Sequence, residues 1–223
     1  MNTISLERLK ILAEAGGDLR YLLDRGYNRS SSLKLVGDKY RLNKAERSIL
    51  YRSIYSSSDV EKITSKRLMA KDLRKEHVLI DGFNVMNTIE TMLRGEPLIL
   101  CDDGVLRDFS EIHGKYKLTE KTHESLELIL KALKELSIAS AKILFESQIS
   151  RSGEIAGYTR RLLRKVGLIG DAETMKTVDS QLQKSEQTII TSDSAILLRC
   201  NRFYDLPAYL LRWMPRVKII SLR

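Results

Sequence analysis

The segment HVLIDGFNV, residues 77–85, marks the point at which the hydrophobic pattern of this 223-residue chain changes. Before it, apolar residues recur at helical spacing; from it onward, short apolar runs of strand length alternate with longer helical patterns. Continuous apolar strands separated by helices are typical of a parallel sheet that is covered on both faces. Residues 76–223 are therefore predicted to form a three-layer α/β/α domain with a mainly parallel sheet.

The alternation continues almost to the last residue of the chain. Strands are predicted at residues 77–80, 98–101, 142–145, 188–191 and 217–222. Helices are predicted at residues 85–94, 120–137, 157–166, 172–184 and 194–199. This order places at least one helix between each pair of consecutive strands, as parallel pairing requires.

Residues 1–75 carry no strand signal and are predicted to form a small all-α domain. Leucines at helical spacing occupy residues 6–23, with a break expected at Gly16-Gly17. Asn43 and Glu46 have the spacing of a capping box and predict the start of a further helix. Residues 64–75 are expected to be a charged helix or a linker, so the domain boundary is predicted near residue 75.

The chain is basic, and the excess lies in its N-terminal third. Lys and Arg number 38 against 29 Asp and Glu, and residues 1–76 account for a net charge of +7 out of +9. Such an excess favours a polyanionic partner. The cations between residues 25 and 52, including Arg41 and Arg47, are interleaved with tyrosines, so we expect contacts to RNA phosphates and unpaired bases. The alternative is that the tyrosines fill the core of the helical domain.

Several protein classes are excluded by the same sequence. Its longest charge-free stretch, residues 82–89, is far shorter than the roughly 20 apolar residues of a membrane-spanning helix. The N-terminal residues lack the continuous apolar segment of a signal peptide. We therefore expect a cytoplasmic protein with no membrane partner.

Carboxylates follow four of the five predicted strands. In parallel α/β sheets, ligands bind in the crevice outside the carboxyl ends of the strands, where these residues are expected to converge. In chain order they are Asp81, Asp102 with Asp103, Glu146, and Asp193 after Ser192.

Crowded carboxylates repel one another unless a cation neutralises them. A set of oxygen ligands without His or Cys suits Mg²⁺ or Mn²⁺, and such a metal supports hydrolysis of phosphodiester bonds. The alternative is that each Asp is a helix N-cap or a turn residue, which is the commoner role of a single Asp after a strand.

Three motifs resemble those of the PIN-like ribonucleases, especially the NYN type. They are the strand and turn at residues 78–85, the sequence Lys-Thr-Val-Asp at residues 176–179, and the strand with its Ser/Thr-x-Asp turn at residues 188–194. The resemblance covers residues 77–223 and implies a PIN-like fold. It also implies that Asp81, Asp179 and Asp193 hold the catalytic metal and that Asn84 hydrogen-bonds near Asp81.

The whole chain also resembles an uncharacterised archaeal family that joins a basic helical domain to a PIN-like domain. The segments that carry this resemblance are residues 36–42, 101–108 and 150–154. Asp102 and Asp103 are predicted to be metal ligands because they follow a predicted strand and lie in a segment that resembles this family. Asp103 is also a candidate catalytic residue. Glu146 departs from the PIN pattern, which usually has Asp there, so the number of metal ions stays open.

Further polar residues near the predicted strand ends are candidates for phosphate binding. For Arg107, the alternative is a structural ion pair. For the turn at residues 150–153 the alternative is an ordinary polar turn, and for the arginines of the next helix it is a solvent-exposed face. The candidates are Arg107, Arg151, Ser152, Arg160, Arg161 and Ser192.

These observations together predict a Mg²⁺- or Mn²⁺-dependent ribonuclease that acts on single-stranded or structured RNA. The alternative is a PIN-like protein that binds RNA or a ribonucleoprotein without cleaving it. A phosphatase of the haloacid dehalogenase type would need a second Asp two residues after Asp81, where Phe83 stands. A homodimer and association with a ribonucleoprotein are both left open.

Overall fold

A computed structural model describes residues 5–109 and 118–222. Its first part is helical, with α1 at Leu6–Asp24, α2 at Arg29–Lys39, α3 at Lys44–Ser53 and α4 at Ser57–Thr64. A short 3₁₀ turn at Ala70–Leu73 leads into the α/β part. The prediction that an all-α segment precedes the sheet is confirmed.

The α/β part contains seven strands and six α-helices within the described residues. The strands are β1 His77–Asp81, β2 Leu98–Leu100, β3 Leu106–Arg107, β4 Ser140–Glu146, β5 Gly170–Met175, β6 Thr188–Ile190 and β7 Ile219–Ser221. The helices are α5 Gly82–Leu93, α6 Glu120–Glu135, α7 Ser152–Val166, α8 Val178–Lys184, α9 Ser194–Leu197 and α10 Leu206–Leu210.

The main sheet has four parallel strands in the order β5-β4-β1-β6. From β1 the chain moves outward to β4 and β5 on one side and then returns to place β6 on the other side. The strand order therefore reverses at β1, and the carboxyl end of β1 is the topological switch point where α/β sheets bind ligands.

Helices cover both faces of this sheet because its central strands are apolar on both sides. Val78 and Ile80 belong to one buried cluster with side chains of α5, α6, α7 and α10. Leu79, Leu144 and Ile189 point to the opposite face and cluster with α8 and α9. The predicted α/β fold with a parallel sheet between helices is confirmed.

Gly82 allows α5 to begin directly at the end of β1. A Cβ atom at this position would lie 2.4 Å from Cε1 of Phe145 and 2.7 Å from the carbonyl oxygen of Leu144. Only glycine permits so close an approach between the start of the helix and β4. The close fit fixes the direction in which Asp81 leaves the sheet.

Two predicted strands lie outside the main sheet. β2 pairs with β7 in parallel and with the unpredicted β3 in antiparallel orientation, forming a separate three-stranded sheet. The prediction that the carboxyl end of β2 joins the edge formed by the other strands was therefore wrong. An apolar run predicts a strand, but the sheet that the strand joins depends on contacts distant in sequence.

The predicted helix at residues 172–184 was wrong in its first part, because Gly170–Met175 forms strand β5. This strand lies at the edge of the sheet and pairs only with β4 in the described structure. Within it, Ala172 alone is fully buried, while Asp171 and Thr174 are exposed. Edge strands tolerate such polar sequences, which lack the apolar run that indicates a central strand.

The capping box of α3 is confirmed: Asn43 accepts a hydrogen bond from the Glu46 backbone, and the Glu46 carboxylate accepts one from the Asn43 backbone. The break predicted at Gly16-Gly17 was wrong, because α1 runs through both residues. Gly16 is buried against Ile54, and a Cβ there would lie 3.0 Å from Cδ1 of that side chain. Tertiary packing thus overrides the low helix propensity of glycine.

The N-terminal helices and the second sheet share one apolar cluster. Leu12, Leu19 and Leu50 of the helices pack together with Ile99 and Leu222, which flank or belong to the strands of that sheet. The domain boundary near residue 75 remains a prediction. The helices before it do not form a core of their own, because residues of the second sheet complete that core. None of the helices within the described ranges combines the length and apolarity needed to cross a membrane.

Candidate active site

Asp81 lies at the switch point, as the last residue of β1 and the N-cap of α5. Its Oδ1 accepts a hydrogen bond from the backbone of Asn84 at 3.3 Å, and its Oδ2 accepts one from the Thr191 hydroxyl at 2.9 Å. The side chain is only 3% exposed. Asp81 therefore has the helix N-cap role that was the alternative for an Asp after a strand. It also lies at the edge of the sheet where the metal site was predicted.

Asn84 links the ends of β1 and β6. Its Oδ1 accepts hydrogen bonds from the Ser192 backbone at 2.7 Å and from the Ser192 hydroxyl at 2.9 Å, and it lies 3.1 Å from the Thr191 hydroxyl that donates to Asp81. These bonds hold the loop that leads into Asp193, which caps α9 by accepting from the backbones of Ala195 and Ile196. Asn84 therefore positions the loop that carries Asp193 relative to Asp81.

Glu146 and Asp179 complete the acidic side of the site. Glu146 is the last residue of β4, and Asp179 lies in the first turn of α8. The Oε2 atom of Glu146 is buried and has no hydrogen-bond partner in the described structure. A buried acceptor left unpaired is costly, so this atom is suited to a ligand.

The four acids influence one another electrostatically. Burial raises the pKa of Asp81 well above its usual range, and the charges of Glu146 and Asp193 raise it further. The pKa of Glu146 is raised by burial and then by the charges of Asp179 and Asp193. Burial and the charge of Asp193 also raise the pKa of Asp179. A cation placed among these acids would relieve their repulsion.

One open cleft of about 660 Å³ brings these acids together with cationic and aromatic side chains of the N-terminal helices. Asp81, Glu146, Asp179 and Asp193 all line it, as do Asn84 and Ser192. The other wall comes from the first residue of α2, from α3, from the segment after α3 and from the first turn of α4. The wall residues that bear a charge or a ring are Arg29, Tyr51, Arg52, Tyr55 and Asp59.

Arg107 is the last residue of β3 and also borders the cleft. Its guanidinium donates to both carboxylate oxygens of Asp103, at 2.9 Å and 2.6 Å, and to the carbonyl oxygen of Ser192 at 2.7 Å. The guanidinium also lies over the Tyr55 ring, 5.2 Å from its centre. The ion pair that was the alternative for Arg107 is therefore formed, and it anchors the Ser192 loop.

Asp102 and Asp103 do not line the cleft. Asp102 forms a bidentate ion pair with Arg20 of α1 and accepts a hydrogen bond from the backbone of Tyr55. Asp103 is fully buried and paired with Arg107. Both follow β2, which belongs to the second sheet, and this explains why the structure places them apart from the other strand-end acids.

Six other residues that were predicted to bind phosphate or RNA lie outside the cleft. Arg151 pairs with Glu154 on the surface, and Ser152 is buried at the start of α7. Arg160 donates to the carbonyl oxygen of Ala172 on β5. The remaining members of this group are Arg161, which lies near the Tyr158 ring, Arg41, which is exposed, and Arg47, which pairs with Asp38.

Asp108 is a cleft residue that the sequence did not indicate as part of the site. It accepts a hydrogen bond from the Thr88 hydroxyl at 2.8 Å, and its backbone carbonyl accepts one from Arg52 at 3.2 Å. Arg29 and Arg52 belong to the basic cluster recognised in the sequence, but only the orientation of the helices shows that these two arginines line the cleft. Tyr51 lies in α3, whereas Tyr55 follows the end of that helix, so helical spacing does not indicate that both rings line the cleft.

The donor chemistry of the acidic side fits Mg²⁺ or Mn²⁺, because every candidate ligand is a carboxylate or amide oxygen. In the described ranges, no three acidic, His or Cys side chains are arranged to hold a metal ion as they stand. Asp81 and Asp193 each use one carboxylate oxygen as a helix cap.

Comparisons with known proteins place the chain in a family but assign it no activity. Residues 70–209 match a domain of unknown function (DUF5616), and residues 11–66 match a protein family of unknown function (DUF434). The uncharacterized protein MJ0935 of Methanocaldococcus jannaschii is 33% identical over 186 residues, which cover 83% of this chain and 88% of that protein. No solved structure matches the chain. The protein therefore belongs to the DUF5616 family, and its helical segment before the family domain matches the DUF434 model.

Proposed function

We propose that the protein is a metal-dependent ribonuclease whose α/β part is PIN-like. The observation that carries the proposal is one cleft at the switch point of a parallel sheet, where arginines line the same space as a group of acids whose charges raise the pKa values of Asp81, Glu146 and Asp179. Acids of this kind suit a divalent metal, and arginines suit a phosphate backbone. The cytoplasm remains the proposed location, and the homodimer and the ribonucleoprotein association remain open.

Asp81, Glu146, Asp179 and Asp193 would hold Mg²⁺ or Mn²⁺ in this site. When bound, the metal supplies activation of water and neutralisation of charge on the phosphate. The unpaired Oε2 of Glu146 is the ligand atom that gains most from a cation, because it has no other partner in the described structure.

The residues around the acids have separate tasks in the proposed reaction. Asn84 holds the Asp193 loop, and the Arg107–Asp103 pair holds the same loop from the other side. Arg29 and Arg52 line the same cleft as the acids, where they can bind phosphates next to the scissile bond. Because these cations come from the N-terminal helices, substrate binding and hydrolysis depend on different segments of the chain.

End-labelled single-stranded and hairpin RNAs, incubated with Mn²⁺, Mg²⁺ or chelator, test the proposal. Cleavage is expected with metal only, and Asp81→Asn and Asp193→Asn are expected to abolish it. Asp38→Asn makes the same chemical change at an exposed residue outside the cleft and is expected to cleave as wild type does. Circular dichroism shows whether each variant is folded.

The second candidate is a protein that binds RNA or a ribonucleoprotein without cleaving it. Glu146 favours it, because the PIN pattern usually has Asp at this position. RNA binding without cleavage under every metal condition, equal in wild type and Asp81→Asn, would establish this candidate and remove the first.

A further inference from the structure

The tyrosines of the N-terminal helices do not all serve the core. Tyr55 is buried and Tyr40 is half-buried, as a core role requires. Tyr21, Tyr27 and Tyr51 are instead 55%, 60% and 49% exposed. Large rings left in water at one region of a surface are typical of a binding site.

Two of the exposed rings are paired with guanidinium groups. The guanidinium of Arg25 lies 3.7 Å from the centre of the Tyr21 ring. Arg29 lies 4.7 Å from the centre of the Tyr51 ring and 4.7 Å from that of Tyr55. Arg29 also donates a hydrogen bond to the backbone carbonyl of Tyr51. These contacts fix the Tyr51 ring and its neighbouring cation while about half of the tyrosine stays accessible.

The fold brings these pairs to one end of the helical segment. The end of α1 is joined to the start of α4, because Asp24 accepts hydrogen bonds from the backbone and hydroxyl of Ser57 at 2.6 Å and 3.0 Å. The start of α2 is joined to the end of α3 by Arg29 and Tyr51. Tyr51 and Arg29 then line the same cleft as the acids. The Arg25–Tyr21 pair lies at the end of α1 and does not line that cleft.

We propose that Tyr51, with Arg29 and Arg52, forms a subsite for an unpaired nucleobase and its adjacent phosphate, and that the substrate is therefore single-stranded. The inference rests on the proposed function in taking RNA as the ligand. A tyrosine face stacks on any base, whereas the arginines bind phosphate. The bases inside a duplex are already stacked on their neighbours, so a paired strand cannot use the ring.

Binding in chelator tests the subsite without requiring cleavage. Fluorescence anisotropy is measured with a short labelled single-stranded oligoribonucleotide and with the same strand in a blunt duplex. Tyr51→Ala is expected to weaken binding of the single strand by about tenfold, the scale of one lost base stack, and to leave duplex binding unchanged. Tyr51→Phe keeps the ring and is expected to bind as wild type does.

The salt dependence of binding separates the cation from the ring. Arg29→Gln is expected to reduce the slope of log affinity against log salt by about 0.7, the value for one phosphate contact on a single strand. Tyr51→Ala is expected to keep the wild-type slope. Arg212→Gln is the matched control, because Arg212 also lies over a tyrosine, 3.7 Å from the Tyr209 ring centre, but outside the cleft.

The results distinguish this inference from the proposed function. Two results overturn the subsite even if the protein cleaves RNA. In the first, Tyr51→Ala binds the single strand as tightly as wild type does; in the second, wild type binds the duplex as tightly as the single strand. Loss of binding in Tyr51→Ala without any metal-dependent cleavage by wild type supports the subsite and overturns the ribonuclease. No binding of RNA by wild type overturns both.

Discussion

Replacing Asp103 by Asn is expected to destabilise the protein strongly without removing a metal ligand. Asp103 is fully buried, and Arg107 is only 7% exposed. The substitution removes the negative charge that faces both terminal guanidinium nitrogens and places an amide group where one acceptor oxygen stood. Arg107 retains the Ser192 carbonyl and the Tyr55 ring, neither of which neutralises its charge.

The expected loss is about 3–5 kcal/mol, the typical cost of leaving one partner of a buried ion pair uncompensated. In urea, with a slope of about 2 kcal/mol/M, this corresponds to a midpoint lower by roughly 1.5–2.5 M. Glu154→Gln breaks the Arg151 pair, whose side chains are 54% and 60% exposed, and is expected to cost less than about 1 kcal/mol.

Urea denaturation followed by circular dichroism, in chelator and with Mn²⁺, measures both the loss and its cause. Asp103→Leu combined with Arg107→Met removes both charges and is expected to recover much of the stability that Asp103→Asn loses. A midpoint for Asp103→Asn that equals wild type in chelator but falls behind it with Mn²⁺ would refute the reasoning. Such a result would identify Asp103 as a metal ligand.

Three other predictions concern the acids and the turn at the end of β1. Asp81→Asn is expected to be more stable than wild type at neutral pH without metal, and this advantage is expected to shrink as the pH falls. Burial raises the pKa of Asp81 in the folded state, so its protonated form stabilises the fold at a pH below the pKa of the unfolded chain. This stabilisation is lost as the pH rises through the folded-state pKa, and denaturation at several pH values measures the loss. Mn²⁺ at about 100 times its Kd is expected to stabilise wild type by about 2.7 kcal/mol but not Asp193→Asn, and thermal unfolding detects the difference. Gly82→Ala is expected to cost about 1–3 kcal/mol or more, because its Cβ would meet Phe145 at 2.4 Å, whereas Gly16→Ala, 3.0 Å from a side-chain methyl, is expected to cost less in the same denaturation assay.

The central part of the sheet could be predicted from sequence because its strands are buried on both faces. β1, β4 and β6 each appear as an apolar run, and each run is followed directly by an acid or by a short turn that ends in one. Asp81, Glu146 and Asp193 were therefore located by counting to the end of a run. Asp179 lies on a helix and was predicted only through the resemblance to PIN-like ribonucleases.

The rest required information that is not local. β5 has the polar sequence of an edge strand, and the pairing of β2 with β7 joins residues more than a hundred positions apart. The position of Arg29 and Arg52 beside the acids depends on how the N-terminal helices pack on the α/β part, and contacts such as the Arg20–Asp102 ion pair join the two parts. Sequence patterns identified the basic cluster, but they did not show which of its arginines line the cleft.

The cluster shared between the N-terminal helices and the second sheet bears on the order of events during synthesis. The helices leave the ribosome first, yet Ile99 and Leu222, which complete their core, follow much later. Until the segment around residues 219–221 is made, apolar side chains of α1 and α3 lack part of their cover. We expect Arg29 and Arg52 to come together with the acids only late in folding, so that the nascent chain does not hold a complete cleft.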